Sequence, residues 1–480
     1  MELKRNLTYF DLMNIVIGAI VGSDIYIIPG LTAGLIGPFA IVIWILGGAV
    51  SMVLVMVFAY CSFYVPNVGG SYAYVTTAFD RFYGFIAGWS MCIAEIVALP
   101  VFAIVFTNYL VYFIPLDYGA QIVVRILFIS AAVLINIYGV KAAGRVNDVL
   151  TIAKLFPLLM IIVLGIGSML LNPHLFGNYS PFAPVGLGNF GTVVVLIFWA
   201  YAGFELGSMP ASEVVDPKRN VPRALISGMA IVIFFYVITN VAAFGVVNWA
   251  ALSTSPVPLV LVSTTLLGGA GAVITGVGAL ASVAGVDETE VLGTARLIYA
   301  MAADGLLPKV VQRVHPRYRT PYVAVLIEGA VALALSFYSQ ISQLISFAVF
   351  NLGVCYLLVC LSLSVLNRRG EHGLRGQNVI PWLGVAISFY LLYSTSLTDK
   401  LVGIAAILVG IPIYLFYAKV HVKELKVTFI SEEEVLARNL ERRNRPLARL
   451  VRSMRRLFRR PSGRRRHMGT PGGQPDHTRG

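Results

Sequence analysis

The sequence predicts an all-α integral membrane protein with twelve transmembrane helices. Of its 480 residues, 58% are hydrophobic and only 12% are charged, and the mean hydropathy is +0.81. Apolar runs of about 20 residues, the length that crosses the hydrocarbon core as an α-helix, recur along most of the chain. A soluble protein of this composition would leave too much apolar surface in contact with water.

Hydropathy windows of about 20 residues define the predicted spans. They begin near Asp11, Phe39, Arg81, Ala120, Ala142, Phe190, Ala224, Gly271, Pro321, Gln343, Val379 and Lys400. The predicted organisation is an N-terminal segment, five helices, five further helices, two last helices and a basic tail, at 1–10, 11–171, 190–367, 379–420 and 421–480.

Basic residues in the loops predict the orientation of these spans. Lys and Arg cluster in alternate loops, such as 218–223 and 309–319, whereas the loops 172–189 and 248–258 contain none. Because positively charged loops remain in the cytoplasm, this pattern predicts a multi-pass protein of the plasma membrane with both termini cytoplasmic.

Two of the predicted spans contain residues that disfavour a helix. The first span holds GAIVGSDIYIIPG (18–30), with Asp24 among its glycines, and the sixth holds FWAYAGFELGSMPASE (198–213), with Glu205. Irregular backbone at membrane depth is tolerated where it is buried in protein or lines a cavity, so discontinuous helices 1 and 6 are predicted around a substrate site. The sixth span is five positions after the first, and because five is odd, a second five-helix unit would begin on the opposite face of the membrane, which predicts a five-plus-five inverted repeat.

Several motifs resemble those of the amino acid–polyamine–organocation (APC) permeases. Two of them are the interrupted stretches, the second taken together with the loop that follows it. The others are PNVGGSYAYV (66–75), GVKAAGRVNDVLTIAKL (139–155) and LIYAMAADGLLPKVVQRVHPRYRTP (297–321). The resemblance covers roughly residues 8–420. It implies a LeuT-like secondary active transporter of amino acids that works by alternating access.

The resemblance also implies a substrate site on the two interrupted helices. The backbone of Gly22, Ser23 and Ile25 would bind the substrate carboxylate. Ala202, Gly203 and Phe204 would supply carbonyls for the substrate amine and an aromatic lid. Trp199 would stack on the substrate, and Glu205 would act as a gate or a proton-sensitive carboxylate.

Asp24 departs from the family pattern, because it replaces a glycine in the segment expected to hold a carboxylate. In a transporter of amino acids, Asp24 would contact the substrate ammonium or carry a proton. The alternative is a transporter or exchanger of cationic amines, such as a polyamine, agmatine or a basic amino acid, because a fixed carboxylate repels an anion and pairs with an amine. Both hypotheses stay open.

Ionisable residues at membrane depth are candidates for proton coupling. Lys154 lies in the fifth span, where the resemblance implies a built-in cation in place of sodium; a lysine that extends to the interface is the alternative.

In the eighth span, Asp287 and Glu290 share a helix face. Three roles stay open for these acids: a proton relay, cation binding, and pairing with Lys154 or Arg296. The candidates are therefore Lys154, Glu205, Asp24, Asp287 and Glu290, with H⁺ as the driving ion. Glu95 in the third span is a further acid with a structural or a functional role.

The tail 421–480 is strongly basic, with 16 of the 36 Lys and Arg residues and 6 of the 23 Asp and Glu residues. Its apolar residues recur at helical spacing, so we expect it to bind anionic lipid headgroups rather than nucleic acid. The sequence has no channel filter motif and no His or Cys cluster with metal-ligand spacing. The sequence therefore predicts a transporter, not an enzyme, that needs no cofactor or metal. It leaves the oligomeric state open.

Overall fold

The computed structural model describes residues 7–66, 69–138, 143–209, 211, 214–337, 340–369 and 376–418. The chain divides into two units, Met1–Ala418 and Lys419–Gly480, and the second lies outside the described residues. The lipid-binding tail therefore stays a prediction. The structure also does not describe the side chains at 143–153, 287–289, 292 and 369. The Asp287 side chain is one of these.

The described residues are almost entirely helical. The helices of the first part are α1 (Tyr9–Ile20), α2 (Asp24–Ile36), α3 (Ala40–Tyr64), α4 (Gly70–Ala78), α5 (Arg81–Phe113), α6 (Tyr118–Tyr138) and α7 (Ala143–Leu171). Those of the second part are α8 (Phe190–Ala200), α9 (Pro217–Val246), α10 (Trp249–Thr254), α11 (Pro258–Leu267), α12 (Gly269–Ala303), α13 (Tyr322–Leu335), α14 (Ile341–Arg369), α15 (Ile380–Ser394) and α16 (Leu397–Ala418). Short 3-10 segments include Pro173–Tyr179 and Phe204–Ser208.

Nine helical stretches in the described part of the chain are long and apolar enough to cross a membrane. The first of them, Tyr9–Tyr64, includes α1, α2 and α3. Three shorter apolar helices, α11, α13 and α15, add to these. An all-helical membrane protein was expected from the composition, and this architecture agrees with it.

The helices differ from the predicted spans at several points, among them α4, which lies between the second and third predicted spans. α9 begins at Pro217, not near Ala224, because a proline at the first helical position has a suitable φ and lacks an N–H that would have no partner there. α10 and α11 lie between α9 and α12, where no helix was predicted. α5 and α12, with 33 and 35 residues, are longer than the 20-residue windows suggested.

Close packing around α1 brings the interrupted helices together. Val16 of α1 fits against two glycines, and a Cβ atom added to Gly228 of α9 would lie 2.8 Å from its Cγ1 atom. The second glycine, Gly207, belongs to the 3-10 segment Phe204–Ser208. Small residues let helix backbones approach in a membrane protein, so α1, α9 and this segment form one packed unit.

Candidate functional site

The first helix is interrupted between α1 and α2. α1 ends at Ile20, Val21 has extended backbone (φ −76°, ψ 92°), and α2 begins at Asp24. The interruption lies within the glycine-rich stretch that the sequence marked. The N-cap residue Ser23 makes no side-chain capping bond, although its backbone carbonyl accepts a hydrogen bond from the Tyr26 N–H at 3.1 Å.

Side chains from three other helices satisfy the carbonyl groups at the end of α1. Lys154 Nζ on α7 donates a hydrogen bond to the Gly18 carbonyl at 3.0 Å, and the Tyr236 hydroxyl on α9 donates to the Ile20 carbonyl at 3.1 Å. The Ser282 hydroxyl on α12 lies 3.2 Å from the carbonyl oxygen of Val21 and 3.3 Å from that of Gly22. These donors replace the lost helical hydrogen bonds, which is the condition for an unwound segment at membrane depth.

The second interruption follows α8. α8 ends at Ala200, and Gly203 has a φ of +102°, a left-handed conformation that favours glycine. A Cβ atom on Gly203 would lie 2.6 Å from the carbonyl oxygen of Ala19, so the second interruption lies directly against the end of α1. Only a residue without a side chain fits this contact.

A small cavity of about 20 Å³ lies beside the two interruptions. Its lining includes four carboxylates, contributed by α2, α5, the 3-10 segment and α12, and they are Asp24, Glu95, Glu205 and Glu290. This volume holds about one water molecule, so the cavity is too small for an amino acid in this conformation. Within the described residues, no group of three or more His, Cys, Asp or Glu side chains is arranged to hold a metal ion.

Aromatic rings border the same region. Trp199 lines the cavity and stacks on Phe102 of α5 with ring centroids 6.0 Å apart and an interplanar angle of 27°. Phe204 stacks on Tyr356 of α14 at 5.7 Å and 23°. Aromatic faces next to carboxylates suit a cationic group such as an ammonium.

Glu205 accepts two hydrogen bonds. The Gly203 N–H donates to Oε2 at 3.1 Å, and the Tyr356 hydroxyl donates to Oε1 at 2.8 Å. The carboxylate is buried and therefore connects the interruption after α8 to α14. A change in either donor would move the carboxylate relative to the cavity.

The structure brings five of the nine residues predicted to bind substrate to the cavity. These are Asp24, Trp199, Ala202, Gly203 and Glu205. The other four are buried nearby but do not line this small cavity in the described conformation, and they are Gly22, Ser23, Ile25 and Phe204.

Of the further proton-coupling candidates, Glu290 lines the cavity, and the Asp287 side chain lies outside the described residues. Lys154 is buried and contacts the Gly18 carbonyl, so its ammonium does not extend to the interface. Glu95, for which the sequence left a structural or a functional role open, lines the cavity.

Sequence reasoning missed the hydroxyl groups around the interruptions. Tyr236, Ser282 and Tyr356 each bond to one of the unwound segments or to Glu205. Tyrosine and serine are ordinary residues of apolar helices, so no local pattern distinguishes these three.

The Amino acid permease family model matches residues 7–427. The chain is similar to the serine/threonine exchanger SteT of Bacillus subtilis (strain 168), with 28% identity over 86% of this chain and 96% of the relative. It is also similar to the branched-chain amino acid permease BcaP of that organism, with 26% identity over 88% and 95%. A methylthioribose transporter of the same organism is 28% identical over 88% and 95%.

Interrupted helices beside a small cavity are typical of a membrane transporter, which is the class of protein indicated here. The chain belongs to the amino acid permease family, since the family model covers most of its length. It is an APC-type permease, and its function is amino acid transport.

Proposed function

We propose that this permease is a secondary active transporter that moves amino acids by alternating access and is coupled to protons. The observation that carries this proposal is the contact between Gly203 and the end of α1, where two interrupted helices meet beside one small cavity. Paired interrupted helices hold substrate in transporters, and rocking around such a site exposes it to each side in turn.

The proposed architecture has twelve spans, arranged as a LeuT-like five-plus-five inverted repeat and two last helices. Its support is the position of the interruptions, which come at the start of each set of five predicted helices. The loop charges support cytoplasmic termini in the plasma membrane, and the basic tail 421–480 would then face anionic lipid.

The four cysteines make the orientation straightforward to test, because all of them are buried. We expect a cysteine introduced into the loop at Asn178 to react with an impermeant maleimide from outside intact cells. A cysteine introduced at Arg317 should react only after the cells are opened. The reverse labelling pattern would contradict the proposed orientation.

Uptake into proteoliposomes tests the transport mechanism. The first substrates are serine, threonine and leucine, because the names of two relatives refer to serine, threonine and branched-chain amino acids. We expect saturable uptake that an inward proton gradient drives in the absence of sodium and that internal substrate accelerates. Uptake that requires sodium, or that does not saturate, would contradict the proposal.

Cationic amines are the second candidate substrate class, and the four carboxylates around the cavity favour them. An amine without a carboxylate would avoid repulsion by Asp24 and could stack on Trp199. Putrescine and agmatine therefore belong in the competition panel. If they displace a radiolabelled amino acid at much lower concentrations than serine or leucine does, cationic amines are the preferred substrates.

A further inference from the structure

The side chain of Asp24 lies at the N terminus of α2. The N–H groups in the first turn of a helix attract anions, and α2 is a helix of 13 residues whose N-cap residue makes no side-chain capping bond. Asp24 is the first residue of that helix and is only 5% exposed. Any substrate carboxylate that approaches this N terminus therefore meets the carboxylate of Asp24.

The Asp24 side chain turns back over the unwound segment. Its Oδ1 atom accepts a hydrogen bond from the Ser23 hydroxyl at 3.2 Å. Its Oδ2 atom lies 3.4 Å from the position that a Cβ atom on Gly22 would take. The carboxylate therefore lies against Gly22 and Ser23, the two residues that precede α2.

The surroundings of Asp24 are predominantly acidic. The ionisable groups that the described residues bring near it are Lys154 on α7, Tyr236 on α9, Tyr26 on α2, Glu290 on α12, Glu95 on α5 and Glu205 after α8. The ammonium of Lys154 bonds to the Gly18 carbonyl at the end of α1. Arg296 on α12 is six residues beyond Glu290 along the chain.

Glu95 gives independent evidence that the cavity accepts a ligand. Its side chain is 5% exposed and faces the cavity, and we find no hydrogen bond to its carboxylate from the part of the chain that the structure describes. A buried carboxylate without a donor is costly, so a donor supplied by a ligand, such as an ammonium, would satisfy it. The cavity can therefore bind the ammonium of an amino acid while α2 binds its carboxylate.

Two ionised carboxylates in one buried place repel each other, and one shared proton removes this repulsion. We propose that Asp24 takes up one proton when the carboxylate of an amino acid binds at the N terminus of α2, so that substrate and proton enter together. The Asp24 O–H then donates a hydrogen bond to the substrate carboxylate. The proton comes from water on the side of entry and leaves to water with the substrate on the other side. This inference rests on the proposed amino acid transport.

Asp24→Asn tests the inference, because an amide donates a hydrogen bond as a protonated carboxyl does but carries no proton. The probes are radiolabelled L-serine and L-leucine, with binding and uptake by the full-length protein in proteoliposomes. For the wild type we expect the apparent affinity to rise about tenfold for each unit of decrease in pH while Asp24 is ionised in the free site. For Asp24→Asn we expect an affinity that does not change with pH and no accumulation driven by a proton gradient, with exchange retained.

Asp24→Gly provides a second variant with the same expected loss of pH dependence, and thermal unfolding verifies that both variants fold. Asp399→Asn is the matched control, since Asp399 is also a buried aspartate, but it accepts a hydrogen bond from the Ser396 hydroxyl and does not line this cavity; it should keep the pH slope. An unchanged pH slope in Asp24→Asn would overturn this inference alone. Loss of amino acid binding in a folded Asp24→Asn, together with preferential binding of putrescine by the wild type, would also overturn it. A wild type that transports no amino acid would overturn both proposals.

Discussion

Lys154 donates a hydrogen bond from Nζ to the carbonyl oxygen of Gly18 at 3.0 Å, across 136 residues of sequence. The carbonyl belongs to the last turn of α1, where the helix dipole is negative and a cation is favourable. The bond therefore satisfies a carbonyl at a buried helix end and also fixes α7 against the interrupted segment. The Tyr26 hydroxyl on α2 also donates to the Lys154 backbone carbonyl at 3.1 Å, so α7 is connected to the helices on both sides of the interruption.

Lys154→Met should reduce uptake by at least about tenfold. The substitution leaves the Gly18 carbonyl without this donor, which costs about 1–3 kcal/mol for a buried group. Initial rates in proteoliposomes measure the effect, with thermal unfolding as the check on folding. Lys400→Met is the matched control, because Lys400 Nζ also bonds to a carbonyl, that of Tyr393 at 2.7 Å, at an exposed position. Equal rates for the two variants would show that the α1 contact is dispensable.

Gly203→Ala should destabilise the protein and abolish transport. The added Cβ atom would lie 2.6 Å from the Ala19 carbonyl oxygen, and the φ of +102° is unfavourable for alanine by roughly 1–3 kcal/mol. We expect a lower unfolding temperature in detergent and no detectable uptake. Gly167→Ala is the control, because a Cβ atom there meets nothing within 4 Å, and alanine is the better helix former. Normal transport by Gly203→Ala would mean that the two interruptions need not touch.

Both helix interruptions could be predicted because glycines there stand next to a carboxylate, which is costly at membrane depth, and because this combination occurs in two corresponding spans. Asp24 and Glu205 are conspicuous against an apolar background, and Gly203 has the positive φ that only glycine adopts easily. These signals are local in sequence. The long apolar helices were predictable because hydropathy over one helix length requires no knowledge of its neighbours, whereas the short helices α4, α10 and α11 were not predicted.

The partners of these residues could not be predicted. From the sequence, Lys154 could pair with an acid of the eighth span or extend to the interface. In the structure, its ammonium donates a hydrogen bond to the Gly18 carbonyl. A backbone carbonyl exists at every residue, so which one becomes available depends on where the helix unwinds and on what packs against it. The hydroxyl groups of Tyr236 and Ser282 are donors for the same reason, and they became recognisable only after α9 and α12 were placed beside α1.

Tyr356→Phe should lower the transport rate by about tenfold while leaving the protein folded. The change removes the hydroxyl that donates to Glu205 Oε1 at 2.8 Å but keeps a ring that can stack on Phe204. Hydrogen bonds to a charged group contribute about 1.5–3 kcal/mol, enough for an effect of this size. Uptake kinetics measure it, and Tyr9→Phe, which removes a hydroxyl bonded to Ser227 at 2.9 Å, is the control. If both variants transport as the wild type does, the Tyr356 hydroxyl does not hold Glu205 in place for transport.

Tyr179 should make stability depend on pH in the alkaline range. It lies in the 3-10 segment after α7, and its hydroxyl donates to the Val241 carbonyl at 2.7 Å. Burial disfavours the charged phenolate and raises the pKa of Tyr179 from 10.0 to about 12. The folded protein therefore holds this proton more tightly than the unfolded chain does. The stability from Tyr179 is fully present below pH 10 and is lost as the pH rises from there through about 12.

Thermal unfolding of the wild type and Tyr179→Phe between about pH 8 and pH 11.5 measures this contribution. We expect the wild type to be the more stable at the lower end, and the difference to decrease steadily above pH 10 because phenylalanine has no proton to lose. Tyr393→Phe, at a position that is 79% exposed, controls for the general effect of alkali on tyrosine. A difference between wild type and Tyr179→Phe that stays constant through pH 11.5 would mean that the Tyr179 hydroxyl is open to water and that the 3-10 segment does not pack on α9 as described.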